Sequence, residues 1–182
     1  MQRIHAGLIQ VCRQLGNALG TVHLHEQATL YNMEHTLQET LQSTPGVLPE
    51  LAALLALSVT GLQTLRQRAL QRDRTIDITT TGRQTRQPRR KEIWFHNVGG
   101  HLYITGTPGR RDWYANLLAH PEFTFHLKQS VRADLPARAT PILDQGRRRA
   151  ILASIHQKLG GQRDLQAWVE GSPLVEVELL GA

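Results

Sequence analysis

The chain is short of cysteine, aromatic residues and long apolar runs, and each shortage closes a route. Cys12 is the sole cysteine among 182 residues, so no internal disulfide can staple the fold. It lies in an apolar helical pattern and reads as a small buried hydrophobe rather than a nucleophile. The uncharged, leucine-rich run Leu51 to Leu65 contains Ser58, Thr60, Gly61, Gln63 and Thr64. It falls short of the roughly 20 apolar residues of a spanning helix. The first residues carry Arg3 but no long apolar core or small-residue cleavage site, so no secretory leader is expected. A cytoplasmic location follows as the expectation, with peripheral membrane contact through amphipathic N-terminal helices left open. No nucleophile-elbow, Walker or zinc-knuckle spacing is present.

Acid is scarce in one place only. Residues 1–73 balance five arginines against five acids. The stretch 83–111 carries Arg83, Arg86, Arg89, Arg90, Lys91, Arg110 and Arg111 against Glu92 alone. That local excess equals the formal net charge of the whole chain, +6. Charge gathered this tightly points to an anionic ligand more than to general solubility.

Two periodicities divide the chain into a helical appendage, 1–73, and a β-rich domain, 74–182. Apolar residues recur at helical spacing from Ile4 to Leu19, then at Leu30, Met33, Leu37 and Leu41. Thr44-Pro45-Gly46 reads as a turn. Pro49 stands near the start of a third helix, whose buried face is expected at Leu51, Leu54, Leu55, Val59, Leu62 and Leu65. Beyond residue 74, strands are expected at Ile76–Thr81, Ile93–Val98, His101–Thr105, Phe123–Leu127, Val131–Ile142 and Leu174–Leu180. Gly99-Gly100 reads as a tight hairpin turn. Helices are expected at Asp112–Ala119, from the N-cap Asp144 to Leu159, and at Asp164–Val169. The fold class is α+β: a closed or half-closed antiparallel barrel with flanking helices, preceded by a helical segment.

Between the first two strands, Thr79 to Lys91 gathers hydroxyls, Gly82 and several cations. A phosphate needs such donors, from backbone N–H groups at a glycine turn and from guanidinium forks. Three charge-assisted hydrogen bonds contribute about 5–9 kcal/mol before association costs. Micromolar affinity needs about 8 kcal/mol net, so a stacking or apolar ring must add the rest. The alternative is a solvated basic hairpin. Arg110-Arg111, before the helix at Asp112, offers a second potential anion site.

The run TTTGRQTRQPRRKEIWF, followed by PGRRDWYANLLAHPEF, resembles the deazaflavin-dependent nitroreductase family. Gly82, Arg83, Pro88, Arg89 and Trp94 fit its first motif. Trp113, Tyr114, Asn116, Leu117, Ala119 and Pro121 fit its second, more specific one. The resemblance covers about residues 74–182. It implies a split β-barrel of the flavin-binding pyridoxamine-phosphate-oxidase-like superfamily, with a deazaflavin cofactor of the coenzyme F-420 type and FMN as the alternative. It also implies reduction of small organic acceptors such as quinones or nitro compounds. On the same basis Gly82, Arg83, Thr85, Arg86 and Arg89 would cradle the cofactor phosphate. Ile93 and Trp94 would line its ring, and Arg110, Arg111, Trp113 and Asn116 would stand by the phosphate or the cofactor tail. The chain departs from the pattern at Gln84, Thr85, Arg86 and Glu92, where lysine, serine, glycine and proline are usual. Barrels of this superfamily often dimerise, so a homodimer is a further expectation.

No catalytic residue stands out. His96, His101 and Tyr114 are candidates to protonate a reduced acceptor, and each reads equally as a surface residue. The histidines and acids around His23, His25, Glu26, Glu34 and His35 read as solvated helix faces rather than a metal site. Two other classes stay open: a non-catalytic barrel for a flavin, lipid or haem-type ligand, and a basic nucleic-acid binder. No nucleic-acid partner is expected, because the charge is confined to one loop and one helix start and no DNA or RNA module fits.

Overall fold

A computed structural model describes residues 49–161 and 164–180. The expected first two helices, the turn at Pro45, Cys12 and the early histidine cluster lie outside these residues. The described residues divide into two compact units, 49–70 with 130–134 and 71–129 with 135–180. Helix α1 runs Pro49–Arg72, all but its last two residues in the first unit, with proline at its start as expected. Burial near its end falls on Arg66, Ala69 and Leu70, while Leu65 is 45% exposed. The expected apolar stripe therefore does not extend to Leu65: the buried face there is one residue out of phase.

The second unit carries the barrel. Strands β1 (Thr75–Thr81), β2 (Pro88–Val98) and β3 (His101–Thr105) form a meander. Helix α2 (Asp112–Ala119) leads to β4 (Glu122–Leu127) and β5 (Ala133–Pro141). Helices α3 (Gln145–Lys158) and α4 (Leu165–Gly171) precede β6 (Leu174–Leu179). The sheet closes in the order β1-β2-β3-β6-β5-β4, so it leaves no open edge for another chain to extend. The α+β antiparallel barrel read from the sequence is the fold observed.

Alternation explains the closure. Ile76 and Ile78 on β1, Phe95 on β2, Ile104 on β3, Phe125 on β4, Ala137 on β5 and Val175 on β6 are all buried and fill the interior at period two. Phe95 and Phe125 meet edge to face at 5.2 Å, the geometry that ring quadrupoles favour. The β2–β3 hairpin turns at Gly99 (φ 62°) and Gly100 (φ 89°), two left-handed positions in succession that suit glycine.

A second core lies between the barrel and the last two helices. Tyr103, Ile142, Ile151, Leu152, Ile155, Trp168 and Leu174 cluster there. Asp144 Oδ1 accepts from the Arg147 N–H at 2.7 Å and Asp164 Oδ1 from the Ala167 N–H at 3.1 Å, so both helices start on aspartate N-caps. Arg148 is buried within this region. Its guanidinium donates to the carbonyls of Ile142 (2.9 Å), Val169 (3.1 and 2.9 Å) and Ser172 (2.6 Å). Two of those carbonyls end α4, where the helix dipole is negative.

Candidate anion groove

β2 begins five residues earlier than the apolar pattern suggests. Thr79, Thr80 and Thr81 pair with Arg90, Arg89 and Pro88. The segment read as a long loop is therefore a six-residue turn, 82–87, followed by a basic strand. Pro88 opens that strand, where its missing donor is tolerated. The turn closes on itself through Gly82 N–H to Gln87 O (2.9 Å) and Arg86 N–H to Gly82 O (2.9 Å). Space favours glycine at 82: a Cβ would lie 2.8 Å from Thr85 Oγ1 and 3.2 Å from the Gln87 carbonyl oxygen, so its neighbours would have to shift.

The turn, the basic start of β2 and the first residues of α2 enclose a groove of about 480 Å³. Its cationic wall is Arg83, Arg89, Arg90 and Lys91. Thr80, Gly82, Gln84 and Thr85 supply polar and backbone surface, and Trp113 and Asn116 line it from α2. Asp112 is the one carboxylate among the lining residues.

The cations are not equivalent. Arg90 Nε is tied to Asp77 Oδ2 at 3.0 Å. Lys128 donates to Asp77 at 2.6 Å and also reaches Glu92. Partial burial alone would push the Asp77 carboxyl up, but the hydrogen bonds from Lys128 and Arg90 outweigh it and hold it below its ordinary range. The same contacts, to Asp77 first and then Glu92, raise Lys128. Arg83 Nη1 pairs with Asp112 Oδ1 at 2.9 Å, and the Asp112 side chain is 89% exposed, so the pair is weak. Arg89 and Lys91 have no ion-pair or side-chain hydrogen-bond partner among the described residues. By register they share the strand face that carries Ile78 and Thr80 on β1.

The expected site residues fall into three groups. Gly82, Arg83, Thr85, Arg89, Trp113 and Asn116 line the groove. Ile93 and Trp94 lie further along β2 and outside its walls. Ile93 shares the face of Lys91, while Trp94 is on the opposite face and 47% exposed. The remaining three cations do not line the groove. Arg86 takes a left-handed φ of 58°, at the position where the resemblance has glycine. Its Nη1 lies 2.6 Å from Nε2 of His120, at the end of α2. Arg111 donates to the carbonyls of Arg110 (3.0 Å), Thr107 (3.2 Å) and Pro108 (3.3 Å), so its fork closes its own loop. Arg110 is exposed in that loop.

Lys91, which the family resemblance does not single out, stands in the groove with Arg89. The signal was strand alternation from Arg89, which places both on one face. His101 is engaged with Glu176 at 2.9 Å, and neither it, His96 nor Tyr114 lines the groove. Among the described residues no cluster of three metal-ligating side chains occurs, and no helix is long and apolar enough to cross a membrane.

The donor set fits an organic phosphate: two cations without an ion-pair partner among the described residues, a third whose ion pair is to an exposed carboxylate, and a glycine turn too tight for a Cβ without a shift of its neighbours. Residues 58–179 match the family described as F420H(2)-dependent quinone reductase. Among solved structures, a conserved hypothetical protein from Mycobacterium tuberculosis is 13% identical, with a TM-score of 0.51 over 65% of this chain and 79% of that one. The heme storage protein HutZ from Vibrio cholerae is 12% identical, with a TM-score of 0.51 over 68% of this chain and 90% of that one. ChuZ from Campylobacter jejuni is 13% identical, with a TM-score of 0.51 over 75% and 63%. At these identities the likeness establishes the barrel fold alone.

Proposed function

The chain belongs to the F420H(2)-dependent quinone reductase family, and on that premise we propose that the groove holds the phosphate of a reduced deazaflavin that reduces a small quinone. When bound, the deazaflavin supplies the hydride, and the protein supplies position and field. Arg89 and Lys91 carry most of the phosphate recognition, with Arg83 joining them by releasing Asp112. Thr85 and the Gly82 turn add hydroxyl and backbone donors. Ile93, beyond Lys91 on the same face, and the Trp113 edge offer apolar surface toward the rest of the cofactor.

The observation that carries this reading is the pair Arg89 and Lys91, two apart on one strand face with no ion-pair partner among the described residues. Cations brought together without a partner repel each other, and an anion relieves that cost. The test is turnover of reduced deazaflavin with a short-chain benzoquinone, followed through the return of the oxidised deazaflavin absorbance. Wild-type protein should accelerate the reaction with saturation in deazaflavin. The Arg83→Ala, Arg89→Ala double variant should lose at least about 100-fold in kcat/KM, two charge-assisted contacts of at least 1.5 kcal/mol each. Equal rates with and without protein would count against the reading. FMN, tested in parallel as the reductant, should be the poorer cofactor.

A further inference from the structure

Asn116 belongs to the α2 motif and lines the groove, yet its polar atoms face inward. The side chain is buried, 5% exposed. Its Oδ1 accepts from the Arg83 backbone N–H at 3.1 Å and lies 3.5 Å from Arg83 Nη1. A backbone N–H can only donate, so this contact fixes which end of the amide is oxygen. The amide nitrogen then donates to Thr80 Oγ1 at 3.1 Å. That hydroxyl is itself buried, 3.5 Å from the Arg89 carbonyl oxygen, and Thr80 is the register partner of Arg89. One amide thus spans α2, the end of β1 and the second residue of the turn, Arg83, with Arg89 next in line.

We propose that Asn116 is a positioning residue: through Thr80 and the Arg83 amide it sets Arg83 and Arg89 against one groove, and ligand affinity depends on it without its touching the ligand. This rests on the phosphate-binding reading of the groove. The turn's own two hydrogen bonds close it internally, but neither ties it to the barrel or to α2. The side chains of Arg83 and Arg86 reach Asp112 and His120 on α2 from exposed positions, whereas Asn116 supplies a buried tie to the turn's backbone. Without it the turn keeps its shape and is held in place less firmly, and the Arg83 guanidinium contributes less to any anion held by Arg89.

A double-mutant cycle on binding separates this role from direct contact. Oxidised deazaflavin is titrated against wild type, Arg83→Ala, Asn116→Ala and the double variant, with Thr80→Val as an isosteric second probe. Amide hydrogen exchange at Arg83 is read in each. In wild type, Arg83→Ala should weaken binding about tenfold, and in the Asn116→Ala background by less than about twofold. Thr80→Val should weaken binding in the same direction as Asn116→Ala, and both should speed exchange of the Arg83 amide. Additive losses in the cycle would overturn the proposal, because they would make Asn116 an independent ligand contact. Binding unchanged in Asn116→Ala would overturn it as well. Should wild type bind no deazaflavin, the phosphate reading fails by itself, and slowed or unchanged exchange in Asn116→Ala would then overturn the positioning role separately.

Discussion

Arg148 offers the sharpest test of how the second core is held, and Arg148→Met is the informative change. Methionine keeps much of the apolar stem and removes the guanidinium. The three carbonyls it serves, of Ile142, Val169 and Ser172, then lose a charged donor. A buried acceptor without a partner costs about 1–3 kcal/mol, so the three together reach about 3–9 kcal/mol. Against this, the variant no longer buries a cation, which offsets several kcal/mol. Water reaching the loop at Ser172 would recover part of the loss. The net expectation is a destabilisation of about 2–4 kcal/mol. With a urea slope of about 2 kcal/mol/M, the midpoint should fall by about 1–2 M. Arg148→Lys should recover only part of it, since an ammonium cannot reach three separated carbonyls in one plane. Deazaflavin affinity of the folded variant should stay at the wild-type level, because Arg148 does not line the groove. A midpoint within about 0.2 M of wild type would refute the claim that these hydrogen bonds hold α3 to α4.

Other perturbations address the groove and its supports. Gly82→Ala forces a Cβ against the Gln87 carbonyl and the Thr85 hydroxyl; a stability loss of about 1–3 kcal/mol and weaker deazaflavin binding are expected, by thermal melt and titration. Arg86→Gly removes a side chain from a left-handed position and should be neutral or stabilising by up to about 1 kcal/mol, whereas a clear loss would make the His120 contact the stronger term. Asp112→Asn frees Arg83 and should tighten phosphate-bearing ligands about two- to fivefold at low salt, with the gain fading as salt rises. Asp77 is held below its ordinary value of 3.8, so its contribution is complete above that pH and is lost as pH falls through the lower folded value. Wild-type stability should therefore fall more steeply below about pH 4 than that of Asp77→Asn, read by urea midpoints across pH 2–7.

Much of the barrel was legible because its signals are local. Gly99-Gly100 announces the hairpin, and Asp144 and Asp164 announce two helices by the one hydrogen bond each can accept. Those signals need no distant partner. The start of β2 was hidden for the opposite reason. Pro88-Arg89-Arg90-Lys91-Glu92 has no apolar alternation, and it is strand because β1 pairs with it across the turn. Leu65 misled because a leucine at helical spacing looks buried until the phase of Arg66, Ala69 and Leu70 is known.

For the site, a cationic turn beside the Trp113–Asn116 helix was readable from composition and motif. Which cations turn toward the groove was not. Arg86 and Arg111 look identical to Arg83 and Arg89 in sequence. They differ in where the acceptor within reach lies: His120 for one and a run of loop carbonyls for the other, all outside the groove, whereas Arg83 reaches Asp112 and Asn116 on its wall. Arg148 sits in the basic run Arg147-Arg148-Arg149 and looks no different from its neighbours in sequence. Its spacing from Ile151, Leu152 and Ile155 places it on the buried face, and that phase was the available clue.

The central claim is that Arg89 and Lys91 stand unpaired in order to hold a phosphate, and equilibrium binding tests it most directly. Oxidised deazaflavin should saturate the wild-type protein at micromolar Kd, with affinity falling as salt rises, and Arg89→Ala with Lys91→Ala should weaken it by at least about 100-fold. Saturation of that double variant at the wild-type Kd would contradict the account.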